Sequence, residues 1–359
     1  MMLKNYSINE ERVKVIVSYC GSSGPVVRFR MPLVDTQNRR IDYLRVSVTD
    51  RCNLSCIYCR PRASLKLLSH DDILRYEEIL RVVAVAASLG ISHVRITGGE
   101  PLVRRAILDF IGEVRDIRGI TDISVTTNGL LLGEMAEGLR LAGISRLNIS
   151  LDSLLPPRFA EITGSNAWGR VWRGIAKAEA CGFSPIKINM VPVKGVNDDE
   201  VVDFARLTLE RSVHVRFIEF MPIGARDRWR TDVCVRSDEI RAAIERAFGP
   251  LDPAGGEAGA GPSRNHRVPG AAGVIGFISP ITKHFCDSCR RLRLTADGKI
   301  RPCLLSDTEI DLKAPLRGGC SDAELERLLR LALEIKPERH YIAESSGGCF
   351  ERTMSGIGG

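Results

Sequence analysis

Three cysteines stand within eight residues in Cys52-Asn53-Leu54-Ser55-Cys56-Ile57-Tyr58-Cys59. Thiolates at this spacing can hold three corners of a cubic iron-sulfur cluster. Structural zinc or a fully ligated cluster needs a fourth Cys or His close by, and none stands between Cys59 and His70. The spacing points to a cluster with one open iron able to chelate an outside ligand, with zinc as the alternative. A second group, Cys286-x2-Cys289-x13-Cys303, reads equally as iron-sulfur ligands or as a zinc ribbon completed by His284. Arg290, Arg291 and Arg293 trail behind Cys289, either solvated or facing an anionic ligand beside the metal. In Gly98-Gly99-Glu100-Pro101 the glycines admit close backbone approach, and Glu100 can accept from an ammonium group. Cys20, Cys181, Cys234, Cys320 and Cys349 share no ligand spacing and read as buried or incidental thiols.

Composition limits what such groups serve. A length of 359 residues suggests two to three domains at ~150 residues each. With 44% hydrophobic and 26% charged residues, 33 glycines and 17 prolines, the chain is globular rather than collagen-like or disordered. Eleven cysteines are too few for a disulfide scaffold and, being odd in number, cannot all pair. The net charge of +7 suits an anionic small molecule better than a nucleic-acid coat. The longest apolar stretch, 82–91, falls short of the ~18 residues that a membrane span needs. Glu10 and Glu11 before the short apolar run 15–17 argue against a secretory signal. Residues 1–32 read as a disordered N-terminal extension, with a transit segment or a start at Met31 as alternatives; patterned sequence begins at about Leu33.

The elements that must position these groups follow from alternation. Strands are expected at 44–48, 93–97, 122–126, 146–151, 185–191 and 215–220, with helices near 104–117, 133–142, 168–181 and 198–210 between them. Ser69 and Asp72 read as a capping box before a helix carrying Ile73, Tyr76, Ile79 and Val83, stopped by Gly90. Repeated strand-helix units imply parallel strands. Each strand has an apolar face and a polar one: Arg45, Ser47 and Thr49; Arg95 and Thr97; Ser124 and Thr126; Asn148 and Ser150; Lys187 and Asn189. A filled barrel packs aliphatics inside, so inward polar faces predict a lumen for a polar ligand; an antiparallel sheet with one wet face is the alternative. The expected fold is α/β: an incomplete (β/α)6 TIM-like barrel over 33–225, then a C-terminal α+β domain over 226–359. That second region holds the other cysteine group, a flexible loop at 253–262, a helix near 321–334 and a Gly-rich tail.

LRVSVTDR followed by CNLSCIYC, RITGGEP, TTNG at 126–129, NISLD at 148–152, RFIEFMPIG at 216–224, the second CxxC with its RLR, and the terminal Gly-Gly together resemble the radical S-adenosylmethionine superfamily. Within it they are most similar to the GTP 3',8-cyclase family of molybdenum cofactor biosynthesis, over about 33–359. The resemblance implies two [4Fe-4S] clusters, one on Cys52, Cys56 and Cys59 that chelates S-adenosylmethionine, and one on Cys286, Cys289 and Cys303 that contacts the guanine of GTP. It places Tyr58, Gly99, Ser150 and Met221 around S-adenosylmethionine, and Arg45, Arg95, Thr126, Lys187, Arg291, Leu292 and Arg293 around GTP. Gly358 and Gly359 match a tail that reaches the active site. The implied reaction abstracts hydrogen from C3' of the GTP ribose and closes the sugar onto C8 of guanine. The implied setting is cytoplasmic, with reduced ferredoxin or flavodoxin as donor, cyclic pyranopterin monophosphate synthase downstream, a homodimer as one assembly state, and neither nucleic acid nor membrane as partner. Arg60 stands where the family has methionine, and the stretch near Asn265 and His266 lacks its aromatics. Two other functions remain: a radical peptide maturase with an auxiliary cluster, and a non-catalytic iron-sulfur or zinc-ribbon protein. The basic lumen and the Gly-Gly end favour a nucleotide over a peptide, while the non-catalytic reading leaves GGEP and the polar faces unexplained.

Overall fold

Leu44 and Val46 alternate with Arg45 and Ser47, and the other runs repeat this pattern; a strand so built must cover one face and turn the other toward something polar. A computed structural model, describing residues 14–20, 23–30, 33–59, 67–223, 231–255, 261–340, 342, 350 and 352–358, places them side by side. Within the segment expected to be disordered, β1 (Lys14–Cys20) and β2 (Ser23–Arg30) pair as an antiparallel hairpin, which their Val, Ile and Phe content favours. The expected strands follow as β3 (Tyr43–Ser47), β4 (His93–Thr97), β5 (Asp122–Thr127), β6 (Arg146–Ser150), β7 (Ile186–Met190) and β8 (Val213–Ile218). All are parallel and in sequence order.

Helices α1 (Tyr76–Ser88), α2 (Ile107–Asp116), α3 (Leu132–Leu141), α4 (Pro156–Thr163), α5 (Trp168–Ala180) and α6 (Val201–Glu210) fill the crossovers. Their apolar faces, such as Ile79, Val82, Val83 and Ala86 of α1, pack with Leu44, Val46, Val94 and Ile96 in one core. The start of α1 differs from expectation. Leu74 donates its N–H to Ala296 O at 2.8 Å, which draws it out of the helix, and Glu78 accepts the Arg75 N–H at 2.7 Å. Ser69 and Asp72 close a turn of their own ahead of it, the hydroxyl donating to the carboxylate at 2.8 Å.

The chain beyond residue 225 does not form a separate layer. After α7 (Ser237–Phe248) come β9 (Asp252–Pro253), β10 (Arg264–Arg267), β11 (Val274–Ile278), β12 (Arg291–Leu294), β13 (Lys299–Arg301) and β14 (Ile310–Asp311), then α8 (Lys313–Arg317), α9 (Asp322–Glu334) and α10 (Met354–Ile357). β11 joins β8 and β12 joins β3, both parallel, so the late strands extend the same sheet at both edges. The result is a twelve-stranded open sheet with β14 and β9 at its ends. Of the loop expected at 253–262, residues 256–260 lie outside the described residues. No helix among the described residues is long and apolar enough to cross a membrane.

Candidate active site

Parallel register turns alternation into rows. Arg301, Arg293, Arg45, Arg95 and Ser124 are successive partners across β13, β12, β3, β4 and β5. Thr126, Asn148, Lys187 and His214 form a second row across β5 to β8. Arg293, Asn148 and Lys187 are buried. Leu292 is the exception in the expected GTP set: as the odd residue between Arg291 and Arg293 it points to the opposite face, pairs with Leu44 and lies in the core. Burial, with Arg293 and Arg95 nearby, holds the Arg45 guanidinium well below its ordinary pKa. Burial and Arg291 bring Arg293 down to about 9. Thr126 Oγ1, Asn148 Oδ1 and Asn189 Oδ1 are buried with no hydrogen-bond partner among the described residues. Such atoms cost ~1–3 kcal/mol each unless something satisfies them, and crowded cations call for an anion. A polar, anionic ligand meets both needs.

The first cysteine group follows the C-terminal end of β3. Its loop is fixed from two sides: Ser55 and Ile57 donate to Thr163 O and Ile162 O at 2.9 Å each, and Asn128 Nδ2 reaches Asn53 Oδ1 at 2.7 Å and Cys52 Sγ at 3.7 Å. Gly99 N donates to Thr49 O at 2.7 Å, and Glu100 N to Arg51 O at 2.8 Å. A Cβ on Gly99 would stand 2.5 Å from Arg51 O, so glycine here admits the backbone of the cysteine loop. Glu100 is equally committed. Its carboxylate accepts from Leu102 N at 3.1 Å, Thr127 Oγ1 at 2.9 Å and Asn128 N at 2.6 Å, tying two loops together instead of facing an ammonium group.

Tyr58 donates its hydroxyl to Asp152, just beyond β6, and meets Phe220 edge-on at 6.2 Å. Burial pushes Asp152 up to about 6. Ser150 closes β6 and pairs with Asn189. Burial raises the Cys56 thiol well above its usual value, and Cys59, Asp152 and Cys52 add to that.

The second group lies at the other end of the polar face. Cys289 precedes the start of β12, whose first residue pairs with Tyr43 at the start of β3. Cys303 follows β13, which runs back antiparallel, so it returns to the same end. Lys336 is buried and donates to Pro302 O at 2.5 Å, Arg291 O at 3.0 Å and Cys289 Sγ at 3.7 Å, stapling the two ligand-bearing strands. Burial pushes the Cys289 thiol up, but Arg291 and Lys336 outweigh it and bring it down to about 6, toward the thiolate a metal needs. No three His, Cys, Asp or Glu side chains among the described residues converge on a single-ion site. His284 meets His340 edge-on at 5.9 Å and does not complete a one-metal set with these cysteines.

Between the ends lies the tail. Gly358 has φ 85°, and a Cβ there would stand 2.6 Å from Ser47 Cβ and 2.8 Å from Thr97 Oγ1. Its carbonyl accepts from Arg293 Nη1 at 3.4 Å. Met221 packs beside Ile357 in a small second core with Ile223, Leu305 and Ile342. Gly359 and Arg60 lie outside the described residues. Sequence reasoning assigned no role to Asp152, Asn128 or Glu219, although NISLD, TTNG and RFIEFMPIG contain them; Lys336 carried no local signal at all.

Residues 46–208 match the family model described as Radical SAM superfamily, and 213–342 the model described as Molybdenum Cofactor Synthesis C. A GTP 3',8-cyclase of Heliobacterium modesticaldum is 51% identical over 327 residues, covering 91% of this chain and 100% of that protein. The chain belongs to the GTP 3',8-cyclase family. Another member, from Pelotomaculum thermopropionicum, is 49% identical over 90% of this chain and 99% of its own. The radical S-adenosylmethionine fold of the family is matched by Streptococcus suis SuiB bound to S-adenosylmethionine, with TM-score 0.53 and 14% identity over 91% of this chain and 78% of that one.

Proposed function

We propose that this chain is a radical S-adenosylmethionine enzyme that converts GTP to (8S)-3',8-cyclo-7,8-dihydroguanosine 5'-triphosphate, an early step of molybdenum cofactor biosynthesis. The observation that carries the reading is the basic row, Arg301 and Arg293 buried and Arg45 and Arg95 half-buried, lying between two three-cysteine groups at opposite ends of one polar face. S-adenosylmethionine on a reduced [4Fe-4S] cluster supplies a 5'-deoxyadenosyl radical able to take an unactivated hydrogen.

Cys52, Cys56 and Cys59 would hold that cluster, with Tyr58, Gly99, Ser150 and Met221 nearest the cofactor. Cys286, Cys289 and Cys303 would hold a second cluster on the guanine side. Arg45, Arg95, Thr126, Lys187, Arg291 and Arg293 bind the triphosphate and sugar, the arginines as planar, forked donors suited to phosphate. Their positions along β12, β3, β4, β5 and β7 stretch the nucleotide across the sheet, leaving the ribose toward the first cysteine group. Gly358, with Gly359 after it, closes the lumen next to Ser47 and Thr97, keeping water and stray hydrogen donors from a carbon radical. The chain's task is to bind, orient and exclude. Residues 33–225 provide the first cluster and Arg45, Arg95, Thr126 and Lys187, and 226–359 provide the second cluster with Arg291 and Arg293 on the substrate side, with 1–32 a separate extension. The same reading carries a cytoplasmic setting, reduced ferredoxin or flavodoxin as donor, cyclic pyranopterin monophosphate synthase as next enzyme, and a homodimer as the assembly to look for.

Anaerobic reconstitution should give about eight irons per chain, two cubic clusters. Incubation with S-adenosylmethionine, dithionite and GTP should give 5'-deoxyadenosine only when GTP is present, together with a cyclised product of unchanged mass. Four irons with one zinc, or cleavage indifferent to GTP, would overturn the reading.

A further inference from the structure

The residues placed around cofactor and substrate leave unused a half-buried ion network at the root of the C-terminal tail. The tail needs an anchor, because α10 has only four residues and so short a helix is not self-supporting. At its tip, Gly358 sits against Ser47 and Thr97 and accepts from Arg293. In its middle, Thr353 Oγ1 accepts from Gly356 N at 3.2 Å, and Ile357 enters the small core. At its root, Arg352 grips two carboxylates. Nη1 and Nη2 donate to Asp297 Oδ1 and Oδ2 at 3.0 and 2.7 Å, Nη2 also to Glu309 Oε2 at 2.8 Å, and Nε lies 2.6 Å from Glu309 Oε1. The side chains of Arg352, Asp297 and Glu309 are 22, 14 and 17% exposed, so the pairs are largely shielded from solvent.

The network reaches back to the site. Glu309 also pairs with the fully buried Arg301, and Arg301 is the register partner of Arg293, which holds Gly358. Asp297 lies in the turn between β12 and β13, held by Thr295 Oγ1 at 2.6 Å. Root and tip of the tail thus hang from one ribbon, the ribbon that joins Cys289 to Cys303.

We propose that Arg352 is a positioning residue: its paired contacts with Asp297 and Glu309 latch the tail so that Gly358 stays seated in the lumen beside Arg293. Arg352 does not touch cofactor or substrate. It fixes the two-carboxylate fork, and the fork fixes where the tail enters. The activity arm of the test rests on the cyclase reading; the structural arm does not.

The test uses reconstituted full-length enzyme in three forms, wild type, Arg352→Gln and Arg352→Lys, with Asp297→Asn as a fourth that leaves the tail sequence intact. Amide hydrogen exchange is read at Gly356, Ile357 and Gly358, whose N–H groups bond within the tail. Arg352→Gln and Asp297→Asn should each speed exchange there by about tenfold or more while iron content stays at the wild-type level. Cyclised product per minute should fall about tenfold at saturating GTP, and 5'-deoxyadenosine per product should rise, the mark of a site no longer sealed. Arg352→Lys, which keeps the charge and loses the fork, should fall between. Unchanged exchange in both Arg352→Gln and Asp297→Asn, or unchanged coupling once exchange has risen, overturns the proposal. Should Arg352→Gln not fold, Asp297→Asn decides it. Wild type that makes no product refutes the cyclase reading alone, since the exchange comparison still tests the latch.

Discussion

A carboxylate surrounded by three donors holds structure in place, and Glu100 is such a group. Burial pushes its pKa up to about 7 even against the Asn128, Leu102 and Thr127 donors that favour the ionised form. Asp152 moves the same way, to about 6. The folded protein therefore binds these protons more tightly than the unfolded chain. The associated stability is fully present at acid pH and is lost as pH rises from about 4.5 to about 7. The denaturant midpoint of the metal-free protein should fall across that window, and Glu100→Gln should flatten the upper part of the fall. A midpoint that climbs through the window would refute the assignment. Gly99 gives a separate test at one atom. A methyl there meets Arg51 O at 2.5 Å, backbone that cannot swing aside, so Gly99→Ala should displace the cysteine loop. The expected result is about four irons per chain instead of about eight, with the second cluster's spectrum retained. Gly112→Ala in α2, where no described residue would meet the added methyl within 4 Å, is the control and should keep full iron while gaining about 1 kcal/mol of helix stability.

At the scale of elements, Glu219 beyond β8 joins strand to loop. It accepts from Ile281 N and Thr282 N at 3.1 Å each, from the Thr282 hydroxyl, and from Ser237 Oγ at 3.4 Å, fixing the turn that leads to Cys286. Glu219→Gln places an amide donor against donors and should cost ~1–3 kcal/mol, seen as a lower thermal midpoint with the second cluster lost before the first. The signals for such ties differ in kind from those for the strands themselves. β3 to β8 were legible because each alternates apolar and polar residues over five or six positions and is set off by a helical stretch. That alternation also put Arg45, Arg95, Thr126, Ser150 and Lys187 on the polar face before any register was known. β11 and β12 were not legible as members of the same sheet. Val-Ile-Gly-Phe-Ile and Arg-Leu-Arg-Leu are too short to declare their partners, and those partners stand far away in sequence. Leu292 shows the cost of carrying a run over whole, since alternation alone sends it to the core between two arginines of the polar face. Lys336 and Arg352 were invisible because nothing local distinguishes a lysine or arginine that meets carbonyls or carboxylates contributed by distant turns.

For the whole molecule, the shared sheet changes what a fragment can do. Each edge of the parallel sheet formed by β3 to β8 is covered by a strand from beyond residue 225. Removing β12 strips the β3 edge of its hydrogen bonds and takes Leu292 and Leu294 away from Leu44 and Val46. Removing β11 does the same at β8, uncovering Val215 and Phe217, which pack with Ile275 and Phe277. Two bare, apolar-backed edges are templates for intermolecular pairing. The fragment 33–225 should accordingly be recovered as aggregate, or as a species that binds a hydrophobic dye and unfolds without a cooperative transition, although it contains every ligand of the first cluster. Deleting only residues 352–359 should leave the sheet intact, so that this variant unfolds cooperatively and takes up iron at both cysteine groups. Thermal unfolding and iron content on the two truncations separate the alternatives. A soluble, cooperative 33–225 fragment that binds four irons would mean that the two regions fold independently and that the continuous sheet is only their docked arrangement.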